Sequence, residues 1–237
     1  MVGRFTLPRI RAILRHKIVP YPSSPRLPME TNAHRGEPPF KIPKLDRDMI
    51  AAIERDDPES VKLLLLQGAN VDFRDQDGWT PTMLAAICGS PQCLRVLVAS
   101  GANLHVQDHE GWTALMAAAG DGEADCVDIL LRAGSPVDSR DSFMRTPLLI
   151  CASICCSLDT IDLLLAAGAD PEDSDADGLS ALVHAREQGH YDIAERMAAI
   201  ILARHEAIEI QRSAAMPQSG PLGAPLHPEE PTRPQRL

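Results

Sequence analysis

The residues best suited to chemistry lie in the run Asp173-Ser174-Asp175-Ala176-Asp177-Gly178. Alternating carboxylates followed by glycine open a calcium-binding loop, which needs oxygen ligands at every second position and a bidentate Glu at the twelfth. The twelfth residue here is His184, the wrong donor for calcium. A second candidate is the trio Cys151, Cys155 and Cys156. The first two share a helix face, but zinc needs four ligands, and His184 and His190 stand at no recognised spacing from them. These thiols read as small buried hydrophobes. The eight histidines are scattered. The chain has no nucleophile elbow, no His-Glu-x-x-His and no Gly-rich phosphate loop. No catalytic residue, metal ligand or cofactor site is expected, and the chain reads as a non-enzyme.

The acidic run has a second property, which is that it recurs. Asp75-Gln76-Asp77-Gly78 matches it, as does Asp108-His109-Glu110-Gly111. Gly68-Ala69 returns as Gly101-Ala102, Gly134-Ser135 and Gly168-Ala169, at spacings of 33, 33 and 34, and Thr80, Thr113, Thr146 and Ser180 keep the same beat. Self-similarity at such a period marks a stacked repeat. The Thr and Ser positions suit helix N-caps. Pro81 and Pro147 follow at the first helical position, where a missing N–H costs nothing. The first helix is small and apolar, as in Leu84-Ala85-Ala86-Ile87 and Leu115-Met116-Ala117-Ala118-Ala119. The second carries an aliphatic stripe at helical spacing, such as Val61, Leu64, Leu65 and Leu94, Leu97, Val98. Each second helix ends at a glycine that permits a left-handed residue.

The segments from Asp77-Gly78-Trp79-Thr80-Pro81 to Leu84-Ala85-Ala86, and from Glu110-Gly111-Trp112-Thr113-Ala114-Leu115 to Ala119, resemble the ankyrin repeat. The resemblance covers roughly residues 44 to 205. It implies an all-α solenoid of stacked helix pairs with short β-hairpin-like fingers. The repeats are placed at about 44–74, 75–107, 108–140, 141–174 and 175–205. The first lacks a preceding finger, and the last, with a long second helix, reads as a C-terminal cap. The His usual after Thr-Pro-Leu is replaced by Met83, Met116, Leu149 and Val183. The Thr–His hydrogen bond of the family should therefore be missing. The repeat at 141–174 carries one extra residue around Ile154-Cys155-Cys156-Ser157 and has Met144 where Gly78 and Gly111 stand, so it should be the least regular.

The resemblance implies a non-enzymatic protein-interaction module that binds its partner on the concave face of fingers and first helices. The residues singled out for binding form a row. Trp79, Trp112, Arg145 and Leu179 occupy one position in successive repeats, rimmed by Asp75, Asp77, Asp108, Glu110 and Asp177. Trp and Arg are enriched at binding hot spots. One reading is an aromatic strip with an acidic rim that grips a basic-apolar segment of a protein. The other is that each Trp packs on its own finger and stabilises it. A different functional class, a regulatory or structural subunit of an enzyme or membrane complex, would rely on the N-terminal segment for targeting.

The chain has 237 residues and a net charge of −10. Residues 1 to 29 hold six Lys or Arg and no acid, leaving 17 basic against 33 acidic residues in the rest. Such a body disfavours a nucleic-acid backbone and favours a basic partner. Residues 1–43 are Pro-rich and outside the repeats. Phe5 to Val19 is basic and amphipathic, which reads as a transit peptide, a membrane-surface helix, a disordered leader, or sequence upstream of a start at Met29. Residues 206–237 read as a helix end and a disordered Pro-rich tail. Six cysteines without loop spacing fit reduced thiols in an intracellular, cytoplasmic setting. No apolar run is long enough to span a membrane. A capped array is expected to be a monomer.

Overall fold

The computed structural model describes residues 43–154 and 157–215, with side chains through 212. The expectations for residues 1–42, the Cys155–Cys156 turn and residues 216–237 lie outside the described residues. The described chain falls into two compact units, one ending at Ala199 and one beginning at Ile200.

Ten helices form five pairs among the described residues. They are α1 (Lys44–Ile53) with α2 (Pro58–Leu66), α3 (Pro81–Ile87) with α4 (Pro91–Ala99), and α5 (Ala114–Asp121) with α6 (Ala124–Arg132). The last two pairs are α7 (Pro147–Ile154) with α8 (Leu158–Ala166), and α9 (Ala181–Glu187) with α10 (Tyr191–Ala215). First helices pack on first helices along α1, α3, α5, α7 and α9, and second on second along α2, α4, α6 and α8.

Local chemistry sets these boundaries. Thr80, Thr113 and Thr146 accept from the N–H three residues on, at 3.3, 3.2 and 3.4 Å. Ser180 departs from the pattern: it starts α9 without a side-chain cap bond. Asp57 caps α2 through Ser60 N–H at 3.1 Å. The second helices close at Gly68, Gly101, Gly134 and Gly168, all with positive φ. There the next residue's N–H bonds the carbonyl five positions back, as Ala69 does to Leu64 at 3.0 Å.

The core is the stack itself. Val61, Leu94, Leu97, Val127, Leu130, Ile161 and Leu164 are fully buried. Each contributes about 1.5–3 kcal/mol by leaving water, and the second helices that carry them pack on one another from α2 to α8. Ala85, Ala86, Ala117, Ala118 and Ala119 are also fully buried, letting α3 and α5 approach closely. In the C-terminal unit, the end of α10 carries Leu202, Ile208 and Ile210 exposed.

Candidate functional site

Between repeats the chain forms a finger, and four carboxylates build it identically. Asp75 Oδ1 accepts from Asp77 N–H and Trp79 N–H, both at 2.9 Å. Asp108 accepts from Glu110 and Trp112. Asp141 accepts from Phe143 and Arg145, and Asp175 from Asp177 and Leu179. In each finger the Asp N–H also bonds the carbonyl four residues on. These are side-chain-closed turns. The nearest approach to a hairpin among the described residues is one isolated antiparallel bridge, Ser174 to Ser180. The calcium-loop run is thus the fourth finger. Asp175 has both oxygens engaged, Oδ2 lying 2.7 Å from His184 Nε2.

Successive fingers are fastened together by backbone bonds. His109 N–H donates to Asp77 O at 3.2 Å, Ser142 N–H to Glu110 O at 2.9 Å, and Ala176 N–H to Phe143 O at 3.0 Å. This contact explains two glycines. A Cβ on Gly78 would meet Asp108 Cα at 3.2 Å, and one on Gly111 would meet Asp141 Cα at 2.9 Å. Finger three keeps the same bonds although Met144 takes the glycine position, at φ +61.

A second row fastens the fingers through side chains, and sequence reasoning missed it. Arg74 Nη2 donates to Gln107 O, Gln107 Nε2 to Arg140 O at 3.0 Å, and Arg140 Nη1 to Ser174 O at 3.1 Å. Gln107 and Arg140 also reach the carbonyl at the fourth position of their own fingers, Gly111 and Met144. Arg140 pairs with Asp173 at 2.7 Å. The signal was present as a long polar residue just before Asp75, Asp108 and Asp141, on the same beat as the glycines.

The structure separates the residues singled out for binding. Trp79 is 7% exposed and Trp112 3%. The indoles are therefore not the open strip that one reading of the row requires. Their burial agrees with the packing reading, extended across the repeat boundary. The Trp79 side chain bonds the Asp108 carboxylate of the next finger. The Trp112 ring lies over Gly120 of α5 and beneath the Arg145 guanidinium, 6.0 Å from the ring centroid. Arg145 is itself tied to Asp141 at 2.6 Å. Leu179 is half-buried, as are Asp77 and Asp108, and Asp75 is buried. Glu110 and Asp177 are exposed at the finger tips.

Burial pushes the Asp108 carboxyl above its ordinary range, against the pull of the Trp112 and Glu110 N–H groups. Burial also pushes Asp175 upward, but the Leu179 N–H and His184 outweigh it and hold that carboxyl below the ordinary range. The Met replacing the family His makes a bond of its own in the repeat at 108–140, where Met116 Sδ accepts from Thr113 N–H at 3.4 Å.

The first helices add less to the face than expected. Pro81–Ile87, Ala114–Gly120 and Pro147–Ala152 are buried throughout. Their contribution is to hold the fingers. An open groove beside the end of α2, lined by Leu65, Leu66 and Val71, contains none of the row. Among the described residues no three His, Cys, Asp or Glu side chains are placed to hold a metal ion. No described helix is long and apolar enough to cross a membrane.

Stacked helix pairs joined by pinned fingers define a helical-repeat protein of the solenoid class. The family model for ankyrin repeats (three copies) matches residues 49–141 and 123–204, about two thirds of the chain. The chain belongs to the ankyrin repeat family. The comparison with curated proteins found no match. Ankyrin repeats are generally protein–protein interaction modules and typically not catalysts.

Proposed function

We infer that this chain is a non-catalytic adaptor or scaffold, a monomer that binds a basic-apolar segment of a partner protein along its finger tips. The observation that carries this reading is the division of labour in the fingers. Asp75, Asp108, Asp141 and Asp175 are engaged in closing each finger, while Asp77, Glu110 and Asp177 at the third position carry the row's outward charge. Pinned fingers leave few side chains to be ordered on binding, which lowers the entropic cost of association. Trp79, Trp112, Arg145 and Leu179 act in this reading as the base that fixes the tips. A cytoplasmic location goes with it.

The test is affinity purification with quantitative mass spectrometry, comparing wild type with Asp77→Lys/Glu110→Lys/Asp177→Lys in the full chain. The variant changes partly or fully exposed positions, so its melting temperature should stay near wild type. A partner depleted at least tenfold by the variant supports the reading. Identical partners at identical ratios overturn it.

A further inference from the structure

The third finger breaks the acidic row. The equivalent tip positions in order are Asp77, Glu110, Phe143 and Asp177, and the next position reads Gly78, Gly111, Met144 and Gly178. Phe143 and Met144 are 55% and 49% exposed, and they are neighbours on one tip. The Phe143 ring is held in place, with the Arg145 guanidinium 5.1 Å from its centroid. That guanidinium is neutralised by Asp141. The backbone beneath is fixed on both sides, by Phe143 N–H to Asp141 and by Ala176 N–H to Phe143 O. Met144 adopts a positive φ that the other three fingers give to glycine. The result is a preset apolar knob between two exposed carboxylates, Glu110 on one finger and Asp177 on the other.

We propose that Phe143 and Met144 form the anchor for a polyproline II segment of a partner protein, one apolar side chain of which is flanked by Lys or Arg three residues to either side. This rests on the finger-face reading above and specifies its ligand. Stacked helices lie about 8–10 Å apart, so the Glu110 and Asp177 tips stand about that far from the knob. A polyproline II chain advances about 3.1 Å per residue with three residues per turn, so residues three apart share one face and span the gap. The flanking carboxylates exclude phosphate-rich surfaces and match the basic residues.

The experiment pans a random peptide library of about sixteen residues, long enough for either a polyproline II or a helical match, against the full chain. Three variants are panned in parallel: Phe143→Ser/Met144→Gly, Phe143→Asp and the triple tip reversal above. Wild type should enrich peptides with the three-residue spacing. The double variant should bind these at least tenfold more weakly. Phe143→Asp, which restores the acidic row, should instead select a basic residue at the centre, and this change of preference survives any modest loss of stability. Enrichment with a seven-residue spacing, or none above background, overturns the proposal. Peptides lost with the tip reversal but unaffected by the Phe143 variants overturn the anchor and leave the finger-face reading standing. Peptides unaffected by every variant overturn both. The chain's own Arg11, Leu14 and Lys17 carry the same spacing, outside the described residues. If motif peptides bind only when Leu14→Glu is introduced, the chain itself is the occupant, and the external partner is overturned.

Discussion

Replacing Gly111 with Ala tests whether finger-to-finger contact stabilises the stack. Gly111 has φ +84, and an added Cβ would stand 2.9 Å from Asp141 Cα and 3.1 Å from both Asp141 C and Ser142 N. These are backbone atoms and cannot rotate away. Gly178 is the control, with φ +78 and no atom within 4 Å of the added Cβ. Left-handed backbone costs an L-residue about 1–2 kcal/mol, and Ala returns about 0.4–1 kcal/mol by restricting the unfolded chain. Gly178→Ala should therefore destabilise by about 1 kcal/mol. Gly111→Ala carries the same strain, plus about 1–3 kcal/mol for overpacking. It also loses a hydrogen bond worth about 1 kcal/mol as Ser142 N–H is pushed from Glu110 O. The total is about 3–5 kcal/mol, a fall in melting temperature of about 6–20 °C against about 2–4 °C for the control. Thermal unfolding followed by circular dichroism reads both. If the two variants melt together, the fingers do not bear on each other and the backbone fastening described above contributes nothing.

The other predictions concern caps, protons and thiols. Thr113→Ala should cost about 1 kcal/mol of stability, while Ser180→Ala, where no cap bond exists, should cost far less; urea titrations compare them. Asp175 is held below its ordinary value of 3.8 in the fold, so its contribution is complete above that pH and is lost as pH falls through the lower folded value. Asp175→Asn should flatten that part of the acid-unfolding curve. Asp108 has the opposite sign: its folded value is raised, so ionisation destabilises the finger as pH rises through it. Asp108→Asn keeps the acceptor for both N–H groups and should melt no lower than wild type at pH 7. Burial pushes the thiols of Cys88, Cys93 and Cys126 up to about 12. All three should resist alkylation at pH 8 until denaturant is added, as mass spectrometry after timed iodoacetamide would show.

The fold was legible in the sequence because each repeat boundary is written by a residue with one physical use. Glycine ends the second helix, threonine begins the first, and aspartate closes the finger; each acts within four residues of itself. What was not legible acts across repeats. Trp79 and Trp112 read as surface hot spots by residue type, but Trp79 is tied to Asp108 of the next finger, and Trp112 packs on Gly120 beneath Arg145. The row Arg74, Gln107 and Arg140 needed the neighbouring carbonyls to become visible. His184 was read as a failed calcium ligand, one place beyond the family His position. Only the fold shows its ring beside Asp175, with both side chains about 95% buried. The Met144 substitution was noticed as an irregularity. Its meaning emerged only with Phe143 standing exposed beside it.

The fingers are held to one another largely by peptide atoms and by the residue just before each closing aspartate. The third residue of the first three fingers takes part in this through its carbonyl: Asp77 O, Glu110 O and Phe143 O are the acceptors. That bond uses a carbonyl every residue type carries, so the bond itself does not select the side chain. A lineage, or an engineer, can rewrite that position letter by letter without reopening the question of whether the protein folds. The tips are an alphabet printed on a frame that does not read it, and a duplicated repeat would arrive with its own blank letter.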